Sequence, residues 1–407
     1  MGGKRSNGEG SIYKRADGKW CSAITVGTDP ITGKIKRKTF YGKTKEEVRQ
    51  KLIDLQYKLQ NDAYIEPSIL TFSAWIDIWL NQYKKGSIRD KTFENYEYLS
   101  RVHIKPSIGN IQLKKLTPEV IQNFYNEKHE HGRSDGKGGL SAKTVRNIHN
   151  IIHECLDQAI KSGKITRNVS EATTLPRKQQ KEIHILTRED EIKFLKVAIE
   201  DRLGIAFIVS LATGLRLGEL LGLHWADINL DEGIINVRQA LARVKLFKED
   251  GSTESVLKFQ PPKTKAGRRT IPLPTNVLKY IKVHKLNQSK EKLSIGEDYE
   301  NNALVFCTEF GKPIDPRNLI RKFQQILKKA NLSKTNLHSL RHTYATRLLE
   351  SNEHPKVVQE ILGHSSISVT LDIYSHVLPE IKKAAAEKIN DIFEIKNPSV
   401  KEGLIEK

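Results

Sequence analysis

The sequence predicts a multidomain chain. Residues 1–66 read as a small α+β unit of three strands and a helix, and 67–178 as an all-α helical bundle. Residues 179–395 read as a mixed, mainly helical unit with a small antiparallel sheet, and 396–407 as a C-terminal tail. Three observations carry this division. The first 42 residues alternate in polarity around turn signals, which is the period of strands. Residues 72–175 repeat apolar side chains at helical spacing. Pattern breaks at Pro67 and over the charged stretch 176–181 separate the units.

Strands are expected at 11–15, 20–26 and 35–41, the first two joined by the hairpin signal Asp17-Gly18. Thr44, with Glu47 three residues on, has capping-box spacing and starts a helix to about residue 60. That helix covers one sheet face and leaves a wet, basic one, with Lys36, Arg37 and Lys38 in the third strand. In the bundle, helices are expected over 72–80, 92–102, from Pro118 behind a Thr117 cap, and over 141–161, with a chain break over Pro106-Ser107-Ile108-Gly109. Lys143 and Arg146 lie on the polar side of the last helix. His149 and His153 stand one turn apart there and read as exposed polar residues rather than metal ligands. In the third unit Thr187 caps a helix, and an apolar helical region over 201–221 is interrupted at Gly214. Short strands at 234–237 and 269–273 flank a long polar insertion, and helices dominate after Asn318.

Lys and Arg number 68 against 48 Asp and Glu, a formal charge of +20. Such an excess favours a polyanionic partner, nucleic acid first. No apolar run approaches the roughly 20 residues of a membrane span, and the start has no apolar signal region, so the cytoplasm is the expected compartment. Cys21, Cys155 and Cys307 are odd in number and far apart, which argues against a disulfide framework or a zinc ribbon.

The chemistry lies in the third unit. Arg216 sits among leucines and glycines with Glu219 one turn on to brace it. His338 and Arg341 share a helix face, and His364 follows Gly363, which closes the helix from Pro355. Tyr374 comes ten residues later. Two guanidinium groups can clamp the non-bridging oxygens of a phosphodiester, and a phenol in that positive field can attack phosphorus. A histidine can take the phenolic proton, and an ammonium such as Lys263 can protonate the leaving oxygen. No carboxylate cluster suits a pair of magnesium ions, so no metal or other cofactor is expected.

Three motifs carry a resemblance: Thr213-Gly214-Leu215-Arg216-Leu217-Gly218-Glu219, His338-Ser339-Leu340-Arg341-His342-Thr343, and Leu362-Gly363-His364-Ser365-Ser366 leading to Tyr374. In this order they resemble the tyrosine recombinases, and within them the integrases of temperate phages and conjugative transposons. The resemblance implies a site-specific DNA recombinase that integrates and excises a mobile element through a 3′-phosphotyrosine intermediate, without ATP. It implies Tyr374 as nucleophile, Arg216 and Arg341 as phosphate clamp, His338 and His364 as hydrogen-bonding and proton-transfer partners, and Glu219 as support for Arg216. Lys263 fits the family's hairpin lysine better than Lys265 two residues on. The first unit would be an arm-type DNA-binding domain and the second a core-binding domain. Glu380 to Phe393 would form a helix in the position where relatives dock a tail on a neighbouring subunit. The implied partners are double-stranded DNA at core and arm sites and a homo-tetramer on that DNA, with an accessory protein as a candidate for excision. Two other classes share parts of the pattern. A DNA-binding regulator would not need the full catalytic set, and a relaxing topoisomerase would not need separate arm and core units.

Overall fold

The computed structural model describes residues 10–28, 34–60, 70–177, 184–248, 250–373 and 386. Two compact units divide the chain, Met1–Gln179 and Gln180–Lys407. Most of the segment between the sheet unit and the bundle, part of the 176–181 linker, the tail and all but one residue of the expected 380–393 helix lie outside the described residues, as does Tyr374.

The first unit opens with an antiparallel sheet of β1 (Ser11–Lys14), β2 (Trp20–Thr28) and β3 (Ile35–Gly42), in that order. Gly18, at φ +79°, makes the β1–β2 turn, where Asp17 also accepts from the Lys19 amide. α1 (Lys45–Gln60) starts at Thr44, whose hydroxyl accepts from the Glu47 amide at 3.2 Å. The Glu47 carboxylate reaches the Lys43 amide instead of closing the box on Thr44. Ile24, Leu52 and Leu55 form the core beneath Ile12, Val26, Phe40 and Leu59. The other face is open. Tyr13, Cys21 and Tyr41 stand in register across it, and the Arg15 guanidinium lies 5.2 Å from the centre of the Tyr41 ring.

The bundle contains α2 (Phe72–Ile78), α3 (Asp90–Leu99), α4 (Lys105–Ile108), α5 (Pro118–His131) and α6 (Ala142–Lys161). Thr71, Thr117 and Ser141 cap their helices with side-chain oxygens. The break expected over 106–109 falls at the far end of that stretch, not at the proline. A π-helical stretch, Ser100–Ile104, runs from α3 directly into α4, and Pro106 sits in the first turn of that helix. The wider turn makes room for the ring where a regular helix would clash, and the chain turns out only at Gly109. His149 is half-buried rather than exposed and bonds the Tyr125 hydroxyl through Nδ1 at 3.1 Å. His153 instead groups with Asp157 and Glu171, their ligand atoms within 4.8 Å of one another at the surface.

The second unit begins with α7 (Arg188–Ile199), capped by Thr187, followed by α8 (Gly204–Thr213) and α9 (Leu217–Leu221). β4 (Ile228–Asn229) and β5 (Ile234–Val237) follow. The expected polar insertion is a second antiparallel ribbon, β6 (Ala240–Phe247) with β7 (Thr253–Gln260). β8 (Arg269–Pro272) then completes a sheet of order β4-β5-β8. The helices α10 (Thr275–Ile295), α11 (Pro316–Lys329), α12 (His338–Glu350), α13 (Pro355–Leu362) and α14 (Ile367–Ile373) complete the unit. One core joins Phe194, Phe207, Phe323, Ile235, Ile271 and Leu340. All of α8 but Leu211 and Ala212 is buried in it, which is why its sequence is apolar on nearly every side. Among the described residues, no helix is long and apolar enough to cross a membrane.

Candidate active site

The site gathers where α8 and α13 end. Both helices close on a left-handed glycine, Gly214 at φ +63° and Gly363 at φ +66°. A helix end leaves carbonyls without partners and carries partial negative charge. Here guanidinium groups satisfy three consecutive carbonyls of the α13 end. Arg269 donates through Nε to Ile361, Arg341 through Nη2 to Leu362 at 2.7 Å, and Arg216 through Nη2 to Gly363 at 3.1 Å. Arg341 also donates to the Gly214 carbonyl at 2.7 Å, so one side chain ties together the two helix ends that precede Arg216 and His364.

Arg216 occupies the position before α9. Its amide and its Nη1 both donate to Glu219, at 3.0 and 2.7 Å. The sequence-based Arg216–Glu219 brace is therefore present, and it reaches the backbone as well as the side chain. Arg216 keeps 40% of its side chain exposed, while Arg341 is only 2% exposed. Burial alone would raise the Glu219 carboxyl, but the Arg269 hydrogen bond and charge, joined by Arg216, outweigh it and hold the pKa below the usual carboxylate range.

Both histidines come to the same place. His338 opens α12 and stacks edge-on against His342, ring centres 4.6 Å apart. Desolvation, then the charges of His342, Arg341 and Arg216, push its pKa down to about 4. His364 is held by its amide on the Gln359 carbonyl and pairs through Nδ1 with the buried Thr370 hydroxyl at 2.9 Å. Burial, then Arg341 and Arg216, push it down to about 3. Both rings are neutral near pH 7, a form in which each can donate from one nitrogen and accept at the other.

Lys263 and Lys265 are both exposed in the loop between β7 and β8. That loop leans on the turn bearing His364, since a Cβ placed on Gly363 would lie 2.7 Å from the Ala266 carbonyl. α14 holds Thr370 and leads into Tyr374, whose own position is not among the described residues.

Two site residues escape the sequence reading. Thr370 carries no signal of its own. Arg269 carries one, because strand alternation puts it on the same face as the core residue Ile271, and a charge on a buried face needs a partner. It finds Glu219 at 2.9 Å, with 6% of its side chain exposed.

The basic residues of the first unit divide. Arg37 is exposed on the open sheet face opposite Thr25, while Lys38, opposite the core residue Ile24, is half-buried on the α1 side. Lys36 is half-buried at the bulge opposite Gly27. Lys143 is exposed, but both Nε and Nη2 of Arg146 bond the Pro176 carbonyl, at 3.2 and 2.9 Å. Arg146 thus pins the chain leaving the bundle and does not stand out toward solvent as its place on a polar helix face suggests.

Residues 177–380 match the Phage integrase family, and residues 71–129 match its N-terminal SAM-like domain. The chain belongs to the phage integrase family. A tyrosine recombinase XerC-like protein of Caldanaerobacter subterraneus subsp. tengcongensis is 34% identical over 91% of this chain and 95% of its own length. An integrase of Saccharopolyspora erythraea is 27% identical over 96% and 98%. The fold matches the Tn1549 transposon integrase solved with transposon right end DNA, at TM-score 0.64 and 24% identity over 79% of this chain and 99% of that one. The protein is accordingly a tyrosine-type site-specific DNA recombinase of the integrase kind.

Proposed function

We propose that Tyr374 attacks the scissile phosphate while Arg216 and Arg341 neutralise its non-bridging oxygens, His338 and His364 hydrogen-bond it and exchange protons, and a lysine of the loop between β7 and β8, Lys263 ahead of Lys265, protonates the leaving oxygen. The supporting observation is the convergence of Arg216, Arg341, His338 and His364 on two apposed helix ends. Guanidinium groups already fixed by backbone carbonyls need little reorganisation when charge develops on phosphorus-bound oxygen. The bond energy of the cut strand is kept in the phosphotyrosine, so rejoining needs no ATP.

The open face of the β1–β3 sheet, with Tyr13, Arg15, Arg37 and Tyr41, is the surface for an arm-type DNA site, and the bundle with Lys143 serves the core site. The protein works as a homo-tetramer on DNA, exchanging one pair of strands at a time. A lambda integrase tetramer bound to a Holliday junction, 22% identical with TM-score 0.52, has a comparable fold.

The test uses full-length protein and a nicked suicide duplex spanning the junction between the encoding element and its flanking DNA. The unmutated protein forms a gel-stable covalent complex, and Tyr374→Phe binds the duplex without forming one. Undiminished adduct from Tyr374→Phe would rule out this nucleophile, and plasmid relaxation without strand exchange would favour a topoisomerase.

A further inference from the structure

We propose that Arg269 is a positioning residue for the phosphate clamp, fixing Arg216 through Glu219 and the His364 turn through the α13 carbonyls. The inference rests on the phosphodiester reading above and adds a residue to it. Arg269 bonds Glu219, the end of α13 and the loop between β7 and β8. Nη2 donates to Glu219 Oε2, while Glu219 Oε1 holds Arg216 Nη1. Nε donates to the Ile361 carbonyl, one residue from the carbonyl that Arg341 takes and two from the one that Arg216 takes. Nη1 donates to the Gly267 carbonyl at 3.2 Å, in the loop that carries both candidate lysines. A planar fork of five donors can make these bonds together, and an ammonium cannot.

The arrangement leaves little slack. A Cβ on Gly363 would come within 3.1 Å of the Arg269 Cδ, so the glycine and the arginine stem are packed against each other. Glu219 is faced by Arg216 and Arg269, with His338 close enough to feel its charge. Without Arg269 the buried carboxylate would rest on Arg216 alone. Arg216 would then be drawn toward Glu219 and away from a substrate phosphate.

The experiment compares Arg269→Lys and Arg269→Gln with Arg347→Lys in the full chain. Arg347 is a suitable structural control because it also bridges a carboxylate and a carbonyl, Glu191 and Leu186, but bonds no clamp residue. Folding of each variant is followed by circular dichroism and melting. The first readout is the single-turnover rate of adduct formation on the nicked junction duplex at saturating concentration. The second is measured in a Tyr374→Phe background. It is the gain in affinity for the intact junction duplex over one gapped to lack the scissile phosphate, and it needs no chemistry.

Both Arg269 variants are expected to lose about tenfold or more in rate and most of the phosphate-dependent gain, with affinity for the gapped duplex retained. Arg347→Lys is expected to keep both readouts while losing melting temperature. If the folded Arg269 variants match Arg347→Lys in the phosphate-dependent gain, the assignment is overturned. If the unmutated protein forms no adduct, the phosphotyrosine reading fails, and the phosphate-dependent gain still decides the role of Arg269. Should Arg269→Gln not fold, Arg269→Lys, which keeps the charge and loses the fork, decides it alone.

Discussion

At the residue scale the proton inventory is set by what touches each histidine. Thr370 Oγ1 lies 2.9 Å from His364 Nδ1 inside the protein, so its hydroxyl selects which nitrogen faces outward. Thr370→Val keeps the shape and removes that choice. We expect adduct formation to slow by about tenfold or more, short of the roughly 10²–10⁴-fold that losing a positioned acid–base group outright would cost, with DNA affinity little changed. An unchanged rate would mean that the ring is oriented by packing alone. The depressed histidines also make a pH prediction. A histidine whose folded pKa falls from 6.5 to about 4 or about 3 stays neutral while its unfolded counterpart takes up a proton. Stability is therefore lost as pH drops below about 6.5 and continues to fall down to the folded values. Melting of the DNA-free protein between pH 7 and 5 should show this loss, and His338→Asn with His364→Asn should flatten it. An identical slope in the double variant would show that these rings titrate normally.

At the element scale the two left-handed glycines fix where α8 and α13 stop. Gly363→Ala asks a side chain to adopt φ +66° and to overlap the Ala266 carbonyl at 2.7 Å. Gly251→Ala meets a similar φ, +79°, in open space. The strain shared by both is about 1–2 kcal/mol. Gly363→Ala should cost clearly more in the urea midpoint of the second unit's transition, and equal costs would mean that the loop between β7 and β8 yields freely. The same elements show what a sequence can convey. The strand, cap and glycine signals of Gly18, Thr117, Thr187 and Gly363 act within a few residues, and the structure agrees at each. α10 is not legible because Val283, Leu286 and Leu293 face solvent while Gln288 is buried, which blurs its apolar stripe. The β6–β7 ribbon hides because its exposed strand is polar, although Asp250-Gly251 marks its turn. Of the site, Arg216, Glu219, His338, Arg341 and His364 are readable as motifs. Strand alternation marks Arg269 as needing a partner, but naming that partner requires knowing that β8 runs beside α13 and α9, a fact of tertiary packing that the strand alone does not record.

At the scale of the whole molecule, charge separates the two ways this protein holds DNA. With +20 formal charges and basic residues in both units, encounter and non-covalent grip are electrostatic. Each neutralised phosphate releases counterions, so binding that uses several contacts weakens by roughly a thousandfold or more as salt rises from about 50 to 200 mM. A tyrosine–phosphate ester has no such dependence. Full-length protein should therefore lose its complex with an intact junction duplex steeply over this range. Complex already trapped on the nicked duplex should survive it and be removed only by protease digestion. Arg37→Ala should lower the slope of log affinity against log salt by about one for an arm-site duplex if Arg37 meets a phosphate, and leave adduct chemistry on the core duplex unchanged. An unaltered slope would take Arg37 off the DNA backbone, and a trapped complex that dissolves with salt would remove the covalent bond from the account.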